Sequence, residues 1–435
     1  MESVMIKTIL YFRILMFIMM VTTYLPLIYN RLPDYVGSHH FWTILWGVSL
    51  LFLKPKVFIQ KLMLLVIIYA LFLLFMIEFT WQNMDEWNSH FLWNELYVIA
   101  VGCSIITYFH VSKDYKGLAQ VVKYTLLFFF ITAVLTLIAS IIDPMFFRTI
   151  NQVTLKGIKA FYLSSNIGAA SYGYILAYAS LLPLLIYLFK NNQLINVNKK
   201  GLLFLILLIL MVIIRVQLFT NIIFAVAFIL LALVNVKNRT ISFVILSVLF
   251  FILIIIPNSV YVNALNNISD SFINLKDLNF KLKEFAFYLE SGGEVGYENA
   301  VAGRAERYPL LFDVFPKSPI FGCYFLSDIT GNGYKVEAVH LYWMNKLTTI
   351  GIVGFLMYIF IIFNFLKNEI KIITNEYRYY FILGSIIILF YGFFKTIIGR
   401  ETWYMFFVII PGMYYLPLLN KKNNLNENEE GIIHH

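Results

Sequence analysis

Cysteine and charged residues are both scarce in this sequence of 435 residues. Only Cys103 and Cys323 are present, which argues against a disulfide framework, a cysteine-based metal site and redox chemistry. Charged residues make up 13% of the chain, too few to form a water-facing surface around a core. Apolar residues make up 60%, so the composition predicts an integral membrane protein.

A single basic patch is also missing, although the formal net charge is +9. Lysine and arginine occur in short clusters between apolar runs, and this dispersal argues against nucleic acid as a partner. Apolar runs of about 20 residues predict about twelve transmembrane helices and an all-α fold. The first run predicts a retained span and not a cleaved signal. The predicted spans are 9–28, 41–53, 57–77, 91–108, 118–142, 172–189, 202–217, 221–234, 241–256, 345–366, 379–394 and 403–419.

The positively charged clusters alternate with the predicted spans. Lys54, Lys113 and Lys199 are examples of residues that fall in every second connection, and such residues collect on the cytoplasmic side of membranes. Both termini are therefore predicted to be cytoplasmic, and the polar stretch 258–344 to be extracytoplasmic. The predicted organisation is nine spans in 1–257, a large helical loop in 258–344, three spans in 345–419 and a cytoplasmic tail in 420–435.

The first half of the long loop has an amphipathic pattern. Ile268, Phe272, Leu275 and Leu282 recur at spacings of three, four and seven, which predicts one helix with an apolar face. Two hypotheses fit this helix. It packs at the mouth of the bundle or in the membrane interface, or it acts as a lid over a substrate site.

Arg215 lies between two unusually short apolar runs. The first run spans only about 20 Å as a helix, against a hydrocarbon core of roughly 30 Å. The turn that contains Arg215, Gln217, Thr220 and Asn221 is therefore predicted to be recessed below the membrane surface. A charge at that depth predicts a functional site that faces a cavity, or a side chain that snorkels to lipid phosphates.

Arg400 is predicted to begin the last span, where it is followed by Glu401 and Trp403. A fixed guanidinium in this setting can bind a phosphate bidentately, or it can pair with Glu401. Lys156, Lys159 and Lys395 are interpreted as either site residues or solvated surface lysines. The histidines near other span ends are interpreted as interfacial residues, and these are His39, His40, His90 and His110.

His340 is the histidine that accompanies the arginines of the long loop. It begins HLYWMNKLTTIGIVGF, which follows the segment GRAERYPLLFDVFPKSPIFG with Arg304 and Arg307. A neutral imidazole can accept a proton from a hydroxyl group, which makes His340 a candidate general base; the alternative is a histidine that caps the following helix. Only Glu337 is close to it in the sequence, so a metal site is not predicted.

These segments resemble a known family. GRAERYPLL, PKSPIFG and the run from His340 to LTTIGIVGF resemble the motifs of the O-antigen ligase and Wzy polymerase superfamily, whose members join lipid-linked polysaccharides outside the bacterial inner membrane. Arg304 matches the motif arginine, Tyr308 stands in place of a usual Trp, and Arg215 falls where the family has an arginine at a helical turn. KAFYLSSN resembles a family loop of the form GxFxNPN, with Ser165 in place of Pro and Lys156 in place of a common Arg. The resemblance covers about residues 156–419.

The resemblance implies a membrane glycosyltransferase with a GT-C-like fold that needs neither a metal nor another cofactor. Its donor would be an undecaprenyl-diphosphate-linked oligosaccharide, the transfer would invert the anomeric carbon, and His340 would deprotonate the acceptor hydroxyl. The residues predicted to bind the diphosphate are Arg215, Arg304, Arg400 and Arg307. The candidate substrate-lining residues are Tyr308, Asn166, Lys156 and Glu337.

The sequence favours an O-antigen or capsular polysaccharide polymerase. Its Ile, Phe, Asn and Lys-rich composition and divergent loop motifs are typical of an enzyme specialised for one repeat unit. An O-antigen ligase, which transfers the glycan to lipid A core, is the alternative. A flippase or transporter is a third class, against which the concentration of polar residues in one late loop argues. The resemblance implies the inner membrane, a site facing the periplasm, and as partners membrane lipids, a chain-length regulator and a flippase.

Overall fold

A computed structural model gives the structure of this chain. It describes residues 2–79, 86–143, 146–149, 155–191, 198–216, 218–233, 258–273, 276–291, 312, 315–322, 341–395, 397 and 399–420. All regular secondary structure within these ranges is helical, which confirms the predicted all-α class for this part of the chain.

The longer helices are numbered here in chain order. Short helical turns at Pro26–Tyr29, Asp34–Gly37, Pro55–Val57, Phe146–Thr149 and Phe315–Lys317 connect or flank them. The longer helices are α1 (Glu2–Tyr24), α2 (His39–Leu53), α3 (Lys61–Phe79), α4 (Glu86–Ser112), α5 (Tyr115–Ile142), α6 (Leu155–Ile167), α7 (Tyr172–Lys190), α8 (Lys199–Val216), α9 (Phe219–Leu233), α10 (Asn258–Ser271), α11 (Lys276–Glu290), α12 (Tyr342–Ile372), α13 (Asn375–Tyr391) and α14 (Arg400–Leu419).

Five of the described helices are long and apolar enough to cross a membrane, judged by length and composition. Four shorter apolar helices accompany them, at His39–Leu53, Lys61–Ile77, Leu96–Ser112 and Thr220–Leu233. Each of the nine overlaps a predicted span, and α8 and α13 overlap two more. The predicted span 241–256 lies outside the described residues, so the number twelve stays a prediction. The five long candidates are Met5–Tyr24, Tyr115–Ile142, Tyr172–Lys190, Tyr342–Ile372 and Arg400–Leu419.

Helix α7 lies at the centre of the bundle. Every residue from Gly173 to Leu188 is buried, as expected for a helix that is apolar on all sides. It packs against α8, α9, α13 and the first turn of α14. The start of α7 and the start of α14 therefore meet at one end of the bundle, where the candidate site lies.

The opposite end of the bundle is held by a buried carboxylate. Asp114 precedes α5 and accepts a hydrogen bond from the backbone N–H of Gly117 at 3.1 Å, which satisfies a free donor of the first turn. The same carboxylate accepts from Nε of Arg13 at 2.7 Å and from its Nη2. The third guanidinium nitrogen donates to Gln120 at 3.2 Å. This cluster joins α1 to α5.

We expect Asp114→Ala to lower the free energy of unfolding by about 2 kcal/mol, since it removes a helix cap and a charge-assisted partner together. Lys116→Ala is the matched control, because Lys116 is exposed two residues further along and its loss should change little. Thermal unfolding in detergent, followed by size-exclusion chromatography, measures both. Equal melting temperatures for the two variants would contradict this role.

His110 also belongs to this end of the bundle. Its Nε2 lies 2.7 Å from Oε1 of Glu369, a carboxylate on α12 that is buried. The interpretation of His110 as an interfacial residue is therefore corrected, because its partly buried side chain joins α4 to a buried carboxylate on α12. A buried carboxylate needs such a partner.

The long polar stretch begins with a helical hairpin in place of the single predicted amphipathic helix. Helix α10 ends at Ser271 and α11 begins at Lys276, so Phe272 lies in the turn and Leu275 outside the described residues. Two side chains donate hydrogen bonds across the turn. Asn279 Nδ2 donates to the backbone carbonyl of Ser269 at 2.7 Å, and Ser269 Oγ donates to the backbone carbonyl of Asn279 at 3.2 Å. The apolar residues buried between the helices include Val262, Leu278, Leu282 and Ala286.

Candidate functional site

The C-terminal end of α1 carries three carbonyl groups that need donors from elsewhere. Pro26 has no N–H, so the carbonyl of Thr22 lacks the donor that a helix would supply four residues on. The carbonyls of Thr23 and Tyr24 also lie in the last turn, because α1 ends at Tyr24. Side chains of α14, α7 and α5 donate to them, and we call this end of the bundle the Arg400 end. The donors are Arg400 Nη2 to Thr22 at 3.0 Å, the hydroxyl of Tyr174 to Thr23, and Thr132 Oγ1 to Tyr24 at 2.9 Å.

Arg400 is the first residue of α14 and is partly exposed. Its guanidinium carbon lies 5.5 Å from the centre of the Tyr29 ring. Within the described part of the chain its one hydrogen bond goes to Thr22, which leaves four of its five N–H groups for a ligand. The negative end of the α1 dipole favours a cation at this position. A guanidinium fixed on one side in this way can bind a phosphate with the other.

Glu401 is buried beside Arg400, but the two side chains form no ion pair, although both are described. The alternative that Arg400 pairs with Glu401 is therefore wrong. Gly399 has a φ of 97°, and a methyl group added there would collide with Oε2 of Glu401.

Burial raises the pKa of the Tyr29 hydroxyl, the charge of Glu401 raises this pKa further, and the charge of Arg400 opposes the shift. The Tyr29 hydroxyl therefore stays protonated at neutral pH.

His39 is the first residue of α2 and is 1% exposed. Its Nε2 lies 2.7 Å from the hydroxyl of Tyr404 on α14. Its Nδ1 lies 3.3 Å from Oγ1 of Thr22 and 3.2 Å from Oγ1 of Thr23 on α1. The interpretation of His39 as an interfacial residue is therefore wrong, whereas its neighbour His40 is exposed.

Arg215 lies in the last turn of α8 and donates from Nη2 to the carbonyl of Ser140 at 3.3 Å. Ser140 ends a stripe of buried hydroxyl residues on α5, in which Thr132 and Thr136 precede it at intervals of four. The stripe covers about 12 Å of helix, from the carbonyl of Tyr24 to Arg215. Arg215 thus lies in the same half of the bundle as Arg400, about 12 Å further along α5 than the carbonyl of Tyr24.

Asn221, which was predicted to share the recessed turn with Arg215, lies in the first turn of α9. It is fully buried, and its amide nitrogen and oxygen have no hydrogen-bond partner in the described part of the chain. Gln217 lies outside the described residues. The two hypotheses for Arg215, phosphate binding and snorkelling, both stay hypotheses.

The segment KAFYLSSN was predicted to be a loop, but it forms most of helix α6. Gly168, with a φ of 79°, ends this helix. The backbone carbonyl of Asn166 accepts a hydrogen bond from Nη2 of Arg31 at 3.3 Å, while its own side chain is exposed. The end of α6 therefore lies against the turn that carries Tyr29, beside Arg400. The side chain of Lys156 lies outside what the structure describes.

Helix α12 is interrupted at Gly351, which has a φ of 65° and a ψ of −178°. The carbonyls of Pro319 and Ile320 accept from the N–H groups just after this break, at 2.8 and 3.1 Å. The motif PKSPIFG thus supplies the acceptors that the broken turn lacks. A methyl group added to Gly351 would lie 2.6 Å from the carbonyl carbon of Ile320, and a methyl group added to Gly322 would lie 2.6 Å from the carbonyl carbon of Ile350. The contact between the two segments therefore requires glycine at both positions.

The start of α12 lies beside the start of α14. The ring centre of Tyr342 is 6.1 Å from that of Trp403, three residues after Arg400. Trp343 donates from Nε1 to the carbonyl of Leu389 at 2.6 Å, which ties α12 to the end of α13. The chain therefore enters α12 at the Arg400 end. Predicted site residues that lie outside the described residues, and so stay predictions, are His340, Arg304, Arg307, Tyr308 and Glu337.

Lys346 is a further cation at this end that the sequence did not single out. It is 5% exposed, and its Nζ lies 6.0 and 5.7 Å from the ring centres of Tyr342 and Tyr358. Its position on the buried face of α12 is visible only once the helix is packed. In the described ranges, no group of three or more His, Cys, Asp or Glu residues could hold a metal ion.

Comparison of the chain with protein-family models, with curated proteins and with solved structures gave no match in any of the three.

Proposed function

We propose that this protein is a membrane glycosyltransferase that joins lipid-diphosphate-linked oligosaccharide repeat units, as an O-antigen or capsular polysaccharide polymerase. The observation that carries the proposal is how the guanidinium of Arg400 is held. Its guanidinium is anchored to the carbonyl of Thr22 and lies 5.5 Å from the centre of the Tyr29 ring, and its other four N–H groups have no hydrogen-bond partner in the described part of the chain. A lipid diphosphate presents phosphate oxygens of the matching geometry.

The diphosphate is the leaving group of the proposed reaction. When the bond from the anomeric carbon to the diphosphate oxygen breaks, the electron pair stays on that oxygen. Arg400 and Arg215, two cations in the same half of the bundle, would stabilise this charge, together with Arg304 and Arg307. Fixed donors aimed at a developing charge each contribute a factor of about 10² to 10³ to the rate.

His340 would take the proton of the acceptor hydroxyl, whose oxygen attacks the anomeric carbon from the opposite face and inverts it. The diphosphate linkage supplies the free energy, so the reaction needs no nucleotide. Two contacts support this arrangement: α12, which directly follows His340, begins beside α14, and PKSPIFG is bound to the break in α12. We further propose twelve spans, cytoplasmic termini and an Arg400 end that faces the periplasm of a bacterial inner membrane.

The acceptor decides between polymerase and ligase. The purified protein in liposomes is given the lipid-linked repeat unit extracted from its host, either alone or together with lipid A core. We expect a ladder of longer lipid-linked glycans and released lipid diphosphate from the repeat unit alone. A product that forms only with lipid A core would indicate the ligase, and no released diphosphate in either mixture would favour a transporter.

We expect the same assay to keep its full rate in the presence of excess EDTA, because arginine side chains take the role that a divalent cation has in other diphosphate-cleaving enzymes. A rate that falls with EDTA and returns on addition of Mg²⁺ or Mn²⁺ would contradict the metal-independent mechanism.

A further inference from the structure

We propose that His39 is a positioning residue that sets the orientation of Arg400 towards the substrate diphosphate. This inference rests on the proposed function and names a residue of the same site. His39 is buried and contacts Tyr404 and Thr22, so its role is to hold in place the two helices that carry Arg400 and its acceptor carbonyl.

The imidazole ring joins α14, which carries Arg400, to α1, which carries the carbonyl that Arg400 contacts. Through Nε2 it contacts Tyr404, one turn after Arg400 on α14. Through Nδ1 it contacts Thr22, whose carbonyl accepts the hydrogen bond of Arg400. The donor helix α14 and the acceptor helix α1 are thus fixed relative to each other by one ring, and the hydrogen bond from Arg400 to Thr22 completes the cycle.

One neutral tautomer of His39 fits the contacts of both ring nitrogens. Thr22 Oγ1 donates to the carbonyl of Met19 at 3.1 Å, so a protonated Nδ1 can donate to Thr22 Oγ1 at 3.3 Å and to Thr23 Oγ1 at 3.2 Å. Nε2 is then unprotonated and accepts the hydrogen bond of the Tyr404 hydroxyl. A second proton on the ring would place an unpaired positive charge in a buried position, which is costly. The neutral ring therefore orients its neighbours without a change of charge.

The test is a double-mutant cycle on the rate of glycan extension in liposomes. His39→Phe keeps an aromatic ring between Tyr97 and Tyr404 but loses the hydrogen bonds of both ring nitrogens. Arg400→Lys keeps the positive charge but loses the planar guanidinium that can bind a phosphate with two parallel hydrogen bonds. We expect His39→Phe to lower kcat/KM up to about 100-fold, the effect of a small misplacement of a reacting group. We expect the double variant to be no slower than Arg400→Lys alone.

Two outcomes separate this inference from the proposed function. If Arg400→Ala extends glycans at the wild-type rate, the proposed site itself is wrong. If Arg400→Ala is inactive but the losses of His39→Phe and Arg400→Lys multiply, the two residues act independently, and only the role of His39 is overturned. His40→Phe is the matched control, since His40 is the exposed neighbour and should keep the wild-type rate.

Two further variants keep the inference testable if His39→Phe does not fold. His39→Gln retains an acceptor near the position of Nε2 and should keep most of the wild-type rate. Pro26→Ala returns an N–H donor to the carbonyl of Thr22, competes with Arg400 for it, and should slow extension about tenfold with an unchanged melting temperature. A wild-type rate in Pro26→Ala, or a folded His39→Gln variant that is as slow as Arg400→Lys, would overturn the proposal.

Discussion

Gly351→Ala is expected to abolish glycan extension while the protein remains folded in the membrane. Gly351 adopts a φ of 65°, where a side chain adds strain of about 1–3 kcal/mol. The added methyl group would also lie 2.6 Å from the carbonyl carbon of Ile320, so the segment PKSPIFG must leave the break in α12. The acceptors of two N–H groups of α12 are lost with it.

The matched control for this substitution is Gly47→Ala. Gly47 lies inside α2, and a methyl group added there has no neighbour within 4 Å, so the change should leave activity intact. Extension assays on both variants in liposomes, with size-exclusion profiles for folding, give the comparison. Gly351→Ala with wild-type activity would show that the docking of PKSPIFG on α12 is not needed for the reaction.

Arg400→Ala is expected to lower kcat/KM for the lipid-linked donor by about 10² to 10³, the usual loss when one fixed donor to a developing negative charge is removed. Arg400→Lys should recover only part of this, because an ammonium group cannot bind a phosphate with two parallel hydrogen bonds. Both variants should fold, since Arg400 is partly exposed and a water molecule can replace it at the Thr22 carbonyl.

Arg378→Lys is the control for the general effect of replacing an arginine at a helix start. Arg378 lies in the first turn of α13 and donates to the carbonyl of Ile373 at 3.4 Å. It should keep the wild-type rate of extension. An Arg400→Lys rate equal to that of Arg378→Lys would contradict a bidentate contact between Arg400 and the diphosphate.

The positions of the apolar helices followed from the sequence because a chain in lipid must satisfy its backbone hydrogen bonds within each helix. The predicted span 41–53, for example, is helix α2 at His39–Leu53. The hairpin of α10 and α11 was missed for a different reason. Ile268, Phe272 and Leu282 keep a helical spacing through the turn, whereas the contacts that form the turn, between Ser269 and Asn279, are tertiary.

Residues of the candidate site could be picked out from the sequence only where a charged residue stands next to an apolar run. Arg400 and Arg215 stood out because an arginine is costly near an apolar run. His39 did not, because His39 and His40 are adjacent in the chain and only the packing of α2 decides which one is buried. The sequence nevertheless indicated that the carbonyl of Thr22 needs a donor from another helix, since Pro26 lies four residues after Thr22 and has no N–H group to donate to it.

The length of lipid-linked glycans in the native host tests the central claim most directly. The gene is deleted and then restored on a plasmid, and the lipid-linked and lipid A-linked glycans are separated by size. We predict that the deletion strain accumulates single lipid-linked repeat units, and that long chains return with the wild-type gene but not with Arg400→Ala. Long lipid-linked chains in the deletion strain would contradict the assignment of this protein as the polymerase.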